Sequence, residues 1–198
     1  VIGSHGNTSC FSFYPGKNLG AYGEGGALVT NDIKVYNYVK SLRNHAQSKR
    51  YHHDFLGYNY RMDGIQGAVL NVKLKYLDGW IRARNKVASL YSKNLKSLKN
   101  ISLPHVSNNC VSSYHLFVIS CKDRDNLFSY LNNAGVSCGF HYPIPLHLQK
   151  AYSHLDYEKG NFPNAEMNAK ECLSLPMYPE LTNEMVKYVS ETIYKYFE

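Results

Sequence analysis

The run Ser12-Phe13-Tyr14-Pro15-Gly16-Lys17-Asn18, followed by Gly20, Gly23, Glu24, Gly25 and Gly26, constrains this chain more than any other stretch. Glycines so closely spaced permit positive φ and close backbone approach, so the run predicts a tight turn. It leads straight into Ala27-Leu28-Val29-Thr30, a short apolar segment that reads as a buried strand. Lys17 stands between the aromatic residues and the glycines, where it is placed to present an amine to a reactive carbonyl rather than to solvate a surface.

A nucleotide P-loop is the nearest alternative for a Gly-Lys pair. It needs a glycine five positions before the second one and a Ser or Thr after the lysine. Here those positions are Phe11 and Asn18, so both requirements fail.

Downstream, Asn31-Asp32 supplies capping chemistry for a helix over 33–43, and the polar stretch Asn44 to Asp54 reads as a loop that ends at Gly57. From Met62 to about Ser97, Ile65, Val69, Val72, Leu77, Val87, Leu90, Tyr91 and Leu95 recur at helical spacing. The length and Gly79 predict two helices or one bent helix, with Arg82, Arg84 and Lys86 on its wet side. Pro104 breaks the pattern, Leu116 to Ile119 reads as a strand, and Asp123 caps a helix through Leu131 that Gly135 ends. Val136 to Cys138 restarts an extended run, and helices are predicted over 165–173 and 183–197. The expected organisation is a first domain over 1–75, a bridging helix over 76–100 and a small α+β domain over 101–198.

At 198 residues, 44% of them hydrophobic and without a long apolar run, the chain reads as a globular protein with a core and no membrane span. The five cysteines are scattered and form no CxxC pair, which suggests neither a disulfide framework nor a zinc site and fits a reducing cytoplasm. His45, His52 and His53 invite a metal reading, yet no carboxylate or cysteine sits at convincing ligand spacing. The net charge of +7 is compatible with a nucleic-acid binder or with attraction to a nucleotide diphosphate. The basic residues are spread along the sequence, so a generally basic chain is the plainer explanation and no nucleic-acid partner is expected.

Two further motifs accompany the lysine run. Gly57-Tyr58-Asn59-Tyr60-Arg61-Met62-Asp63 precedes Gln66-Gly67-Ala68, and Phe140-His141-Tyr142-Pro143-Ile144-Pro145-Leu146-His147-Leu148-Gln149 lies in the second half. On their residues alone, Ser12 fills a turn or binds an anion, Asn59 and Arg61 cap the following helix or contact a ligand, and the prolines serve a turn or a rigid binding loop.

Together, and in this order, the three motifs resemble those of the DegT/DnrJ/EryC1/StrS family of sugar aminotransferases, which depend on pyridoxal 5'-phosphate and belong to the aspartate aminotransferase superfamily. The resemblance runs over essentially the whole chain. It implies an α/β fold, the C-terminal part of a fold type I transferase large domain followed by a small α+β C-terminal domain. Lys17 then corresponds to the Schiff-base lysine, a position that one dehydratase branch fills with histidine, and its presence favours transamination. Ser12 matches a serine that bonds the cofactor phosphate, and Asn59 an asparagine that reaches the phosphate of the other subunit, which implies a homodimer with shared sites. Arg61, His141, Tyr142 and His147 fall in motifs near the substrate, whereas His115 is more readily structural.

The implied reaction moves an amino group, typically from L-glutamate, to a keto group of a dTDP- or UDP-linked sugar in the cytoplasm, for deoxyaminosugar or surface-polysaccharide synthesis. The family's equivalent of Gly3 to Asn7 lies deep in its chains, so this sequence is expected to be the C-terminal half of a longer protein. The other half of such enzymes supplies a Gly-Thr phosphate contact, an aromatic that stacks on the cofactor and an acid that pairs with the pyridine nitrogen. Alone, the chain is expected to be poorly active, and a truncated dimerisation module of the same fold is the alternative.

Overall fold

In a computed structural model that describes residues 3–198, the glycine-rich run closes an antiparallel hairpin of β1 (Thr8–Ser12) and β2 (Gly26–Thr30), with Thr8 opposite Thr30 and Ser12 opposite Gly26. β1 carries little apolar pattern of its own, and its pairing to β2 is what makes it a strand. The Thr30 hydroxyl donates to the Asn7 carbonyl at 2.6 Å and ties the hairpin ends together. α1 (Ile33–Leu42) follows at once because Asp32 caps it, its carboxylate accepting from the backbone N–H groups of Lys34 at 2.7 Å and Val35 at 3.4 Å.

The stretch expected to be a plain loop contains a small irregular hairpin, β3 (Gln47–Lys49) and β4 (His52–His53). Its order comes from the backbone. His45, Ala46 and Tyr51 adopt left-handed φ values of 60, 50 and 68°, which turn the chain without glycine. Gly57 passes so close that a Cβ there would lie 2.2 Å from the Ala46 nitrogen. α2 (Gly64–Leu74) ends at Lys75, and α3 (Leu77–Leu95) begins two residues later. The helix break thus precedes Gly79, which lies inside α3. These elements up to Asp78 form one unit, and Gly79–Glu198 forms a second.

The second unit is built on a three-stranded antiparallel sheet in the order β5 (Ile101–Ser102), β6 (Phe117–Cys121), β7 (Cys172–Leu175). Phe117, Ile119 and Cys121 alternate onto one face of β6 and are buried. They meet Tyr91 and Leu95 of α3, Leu127 and Leu131 of α4 (Arg124–Asn133), and Val186 and Ile193 of α6 (Asn183–Phe197) in one core cluster. Full burial of each such side chain contributes about 1.5–3 kcal/mol. α4 ends as expected, with Gly135 at φ 77°.

Three expectations need correction in this unit. Leu173 does not end a helix: α5 (Pro163–Glu171) stops before it, and Cys172 to Leu175 forms a strand buried at all four positions. Four residues are too few to show either a helical or a strand period, which explains the difference. Val136 to Cys138 forms no strand, and only Gly139 pairs, across to Ser174. Arg84 is not on a wet face. It is buried, and its Nη1 donates to the carbonyls of Tyr114, His115 and Met177 at 3.1, 3.2 and 2.9 Å. Burial pulls its pKa below the ordinary arginine value, with Glu180 acting in the opposite direction. Arg82 and Lys86 are exposed.

All five cysteines are free thiols. No helix among the described residues is long and apolar enough to cross a membrane.

Candidate active site

Lys17 lies in the segment that joins β1 to β2, half-buried, on a turn closed by its own N–H donating to the Tyr14 carbonyl at 2.8 Å. The segment folds back on itself through Phe13 N–H to Gly25 O and Ala21 N–H to Phe13 O, both 2.8 Å. Gly20 completes the closure, since a Cβ there would stand 2.3 Å from the Pro15 carbonyl oxygen. Among the described residues the Lys17 amine makes no ion pair, hydrogen bond or cation-π contact. Ser12 sits at the β1 end of the same hairpin, exposed, its hydroxyl oxygen accepting the Tyr14 N–H at 3.3 Å. That contact leaves its O–H free to donate.

The second motif divides into a strap and a helix. The strap over 58–60 pairs with the end of α1 through Tyr58 N–H to Leu42 O at 2.8 Å and Tyr60 N–H to Arg43 O at 2.9 Å. Asn59 is exposed on this strap, bridged by backbone to Asn44, while Arg61 donates through Nη1 to the Asn44 side chain at 2.9 Å. Neither side chain caps α2, whose N-cap is Asp63 without a side-chain hydrogen bond.

α2 supplies contacts that the sequence pattern did not single out. Gln66 Oε1 accepts the Tyr22 N–H at 2.8 Å, and the Lys73 amine donates to the Gly20 carbonyl while lying 5.4 Å from the centre of the Tyr22 ring. Gln66 was legible as part of a motif but not as a contact. Lys73 gave no signal beyond its i+7 spacing from Gln66.

His141, Tyr142 and His147 belong to the second unit, where they line one groove of about 1300 Å³ over the outer face of the sheet, with Val118, Ser120 and Phe162. None of the lining residues is a lysine or arginine. His141 is exposed and its Nδ1 lies 2.8 Å from the Ser174 hydroxyl, while Tyr142 is exposed beside it. His147 is turned inward: its Nε2 lies 3.1 Å from Glu166 Oε1, and its ring packs 4.9 Å from that of Phe162. The same Glu166 oxygen accepts the Gly160 N–H at 2.7 Å, which with the histidine holds its carboxyl below the ordinary range. Among the described residues no group of His, Cys, Asp or Glu could hold a metal, and His53 spends its Nδ1 on the His45 carbonyl at 2.8 Å.

Residues 1–194 match the DegT/DnrJ/EryC1/StrS aminotransferase family. The chain belongs to that family. It is 44% identical over 192 residues to the erythromycin biosynthesis sensory transduction protein EryC1 of Saccharopolyspora erythraea, covering 97% of this chain and 52% of that protein. It is 38% identical to the dTDP-3-amino-3,4,6-trideoxy-alpha-D-glucose transaminase of Streptomyces venezuelae, covering 100% of this chain and 52% of the relative. The crystal structure of S. venezuelae DesV in complex with a ketimine intermediate superposes with a TM-score of 0.93 at 38% identity, covering 100% of this chain and 53% of that one. The chain therefore spans about half the length of the curated relatives it matches, and its mixed α/β architecture is that of part of a fold type I transferase.

The residues present suit two ends of pyridoxal 5'-phosphate, the cofactor that the family implies. A half-buried amine on a stiff turn, unpaired among the described residues, suits its aldehyde, and a hydroxyl free to donate suits its phosphate.

Proposed function

We propose that this chain is part of a pyridoxal-phosphate-dependent aminotransferase that transfers an amino group, with L-glutamate as donor, to a keto group of a dTDP- or UDP-linked sugar. The observation that carries the reading is the Lys17 amine, without a partner among the described residues, on a turn fixed by three backbone hydrogen bonds. When bound, the cofactor supplies the electron sink that makes the transfer possible.

Lys17 Nζ would hold the cofactor through its aldehyde and, as a free amine, would take a proton from the substrate carbon that bears the amino group and return it. Ser12 donates its hydroxyl to phosphate, and Asn59, exposed on its strap, reaches a phosphate in a second subunit of a homodimer. Arg61 steadies the strap through Asn44, and its place in the second motif assigns it to the substrate. His141 and Tyr142 present polar edges to sugar hydroxyls rather than charge to a diphosphate, in keeping with a groove that lacks lysine and arginine. His147 serves the same side by holding the loop that bears them to Glu166. The reading places the enzyme in the cytoplasm, without nucleic acid as partner.

Incubation with pyridoxal 5'-phosphate, borohydride reduction and peptide mapping tests the role of Lys17. The expected result is an adduct concentrated on Lys17 and abolished by Lys17→Arg. Modification spread evenly over the surface lysines, with Lys17 not preferred, would sink the reading.

A further inference from the structure

We infer that Gln66 and Lys73 are positioning residues that clamp the Lys17 segment from α2. The inference rests on the reading of Lys17 as the reactive amine and adds what fixes it in place. Gln66, Leu70 and Lys73 fall at i, i+4 and i+7, one face of a helix spanning about 10 Å along its axis. Leu70 is the residue of α2 that is buried, while Ile65 and Val72 on another face are exposed by 75% and 57%. The face that is used is thus the one turned to the hairpin.

Two glycines make the approach possible. A Cβ on Gly23 would stand 2.8 Å from the Gln66 amide nitrogen, and one on Gly25 would stand 2.9 Å from the sulfur of Met62, one turn before Gln66. Through this gap Gln66 takes the Tyr22 N–H and Lys73 takes the Gly20 carbonyl. Gly20 in turn lies against the carbonyls of Tyr14 and Pro15, the turn whose closing bond is the Lys17 N–H to Tyr14 O. The contacts therefore run without a break from α2 through Tyr22 and Gly20 to the turn that bears Lys17. Lys73 provides a fixed charge to a carbonyl and to the face of Tyr22, a pairing that a neutral side chain cannot reproduce.

Neither contact needs a cofactor, so the test does not either. Hydrogen exchange of the 198-residue chain read by mass spectrometry, with acylation of Lys17 by a small amine-reactive ester measured against exposed Lys93, reports the clamp directly. Gln66→Met keeps the volume and removes the acceptor; Lys73→Met keeps the stem and removes the donor. Each is expected to speed exchange over residues 13–22 and acylation of Lys17 about five-fold, the effect of one net hydrogen bond. Peptides of the second unit and Lys93 should not change, which shows that the variant has folded. Gln66→Glu and Lys73→Arg retain acceptor and donor and are expected to restore the slow rates. Unchanged exchange and acylation in both Met variants would overturn the clamp, as would equal acceleration in the conservative variants. A failure of the Lys17 reading looks different: borohydride leaves no adduct on Lys17 in the unaltered chain, while the Met variants still loosen the segment.

Discussion

The second unit encloses Phe117, Ile119, Leu127, Leu131, Leu173 and Ile193 with no measurable exposure, whereas the first encloses Ala21, Ala46 and Leu70 and leaves Ile33, Leu56 and Ile65 at 66%, 93% and 75%. α1 buries no residue at all. One unit is held by side chains that exclude water, and the other by backbone hydrogen bonds, glycine contacts and capping. The lysine hairpin and the Asn59 strap belong to the second kind. A segment fixed by its backbone can present an amine or an amide at its surface without burying it, which is what a site for an incoming ligand requires.

That contrast predicts unequal costs for the same kind of deletion. Leu131→Ala, at a site with no exposure, is expected to lower stability by about 3 kcal/mol, through lost transfer energy plus the cavity it leaves. Ile65→Ala on the exposed face of α2 should stay within about 0.5 kcal/mol. Urea unfolding followed by the single tryptophan, Trp80, and by far-ultraviolet circular dichroism measures both. Equal losses would break the comparison, because they would mean that the face of α2 carrying Ile65 is covered in solution.

The same contrast decides what the sequence made legible. Helices with a strong amphipathic pattern or a clear cap were readable to within a residue or two, as α1 with Asp32 and α6 over 183–197 show. Elements ordered by the backbone were not: β1 and the small hairpin at 47–53 have no periodicity to read, because pairing rather than side-chain pattern forms them. β7 was misassigned for the opposite reason, since burial at every position erases alternation. The motif residues were found by spacing and resemblance, which identify a residue but not what it touches. Nothing in the sequence said that Arg61 meets Asn44, that His147 turns inward to Glu166, or that Lys73 reaches the lysine segment.

Arg84 tests the comparison from inside the core. Its guanidinium joins two loops of the second unit, Nη1 donating to three carbonyls. Arg84→Met retains volume but leaves those carbonyls without this donor, at an expected cost of about 2 kcal/mol in the same urea experiment. Arg84→Lys keeps the charge and one nitrogen with three N–H donors but on a shorter stem, so it should recover only part of that. If Arg84→Met proved neutral, the polar staple would be dispensable and the second unit would rest on apolar burial alone.

The smallest expected effect lies at the groove, where polar contacts rather than core hold the loop of His141 and Tyr142. Glu166 is favoured as a carboxylate by the Gly160 N–H first and by His147 next, so its folded pKa lies below the ordinary glutamate value of 4.5. As pH falls, the unfolded chain takes up this proton before the folded one does. The stability contributed by Glu166 is therefore complete above pH 4.5 and is lost as pH falls through the depressed folded pKa. Glu166→Gln keeps an oxygen for the Gly160 N–H but cannot titrate. Its stability deficit against the unaltered chain should be constant from neutral pH down to the ordinary carboxylate range and shrink below it. Unfolding midpoints of both proteins at neutral pH and in the acid range supply the measurement. A gap that stays constant into acid would mean that the carboxylate gains nothing from its partners on folding, and that the loop over the groove is held by the ring contact of His147 with Phe162 instead.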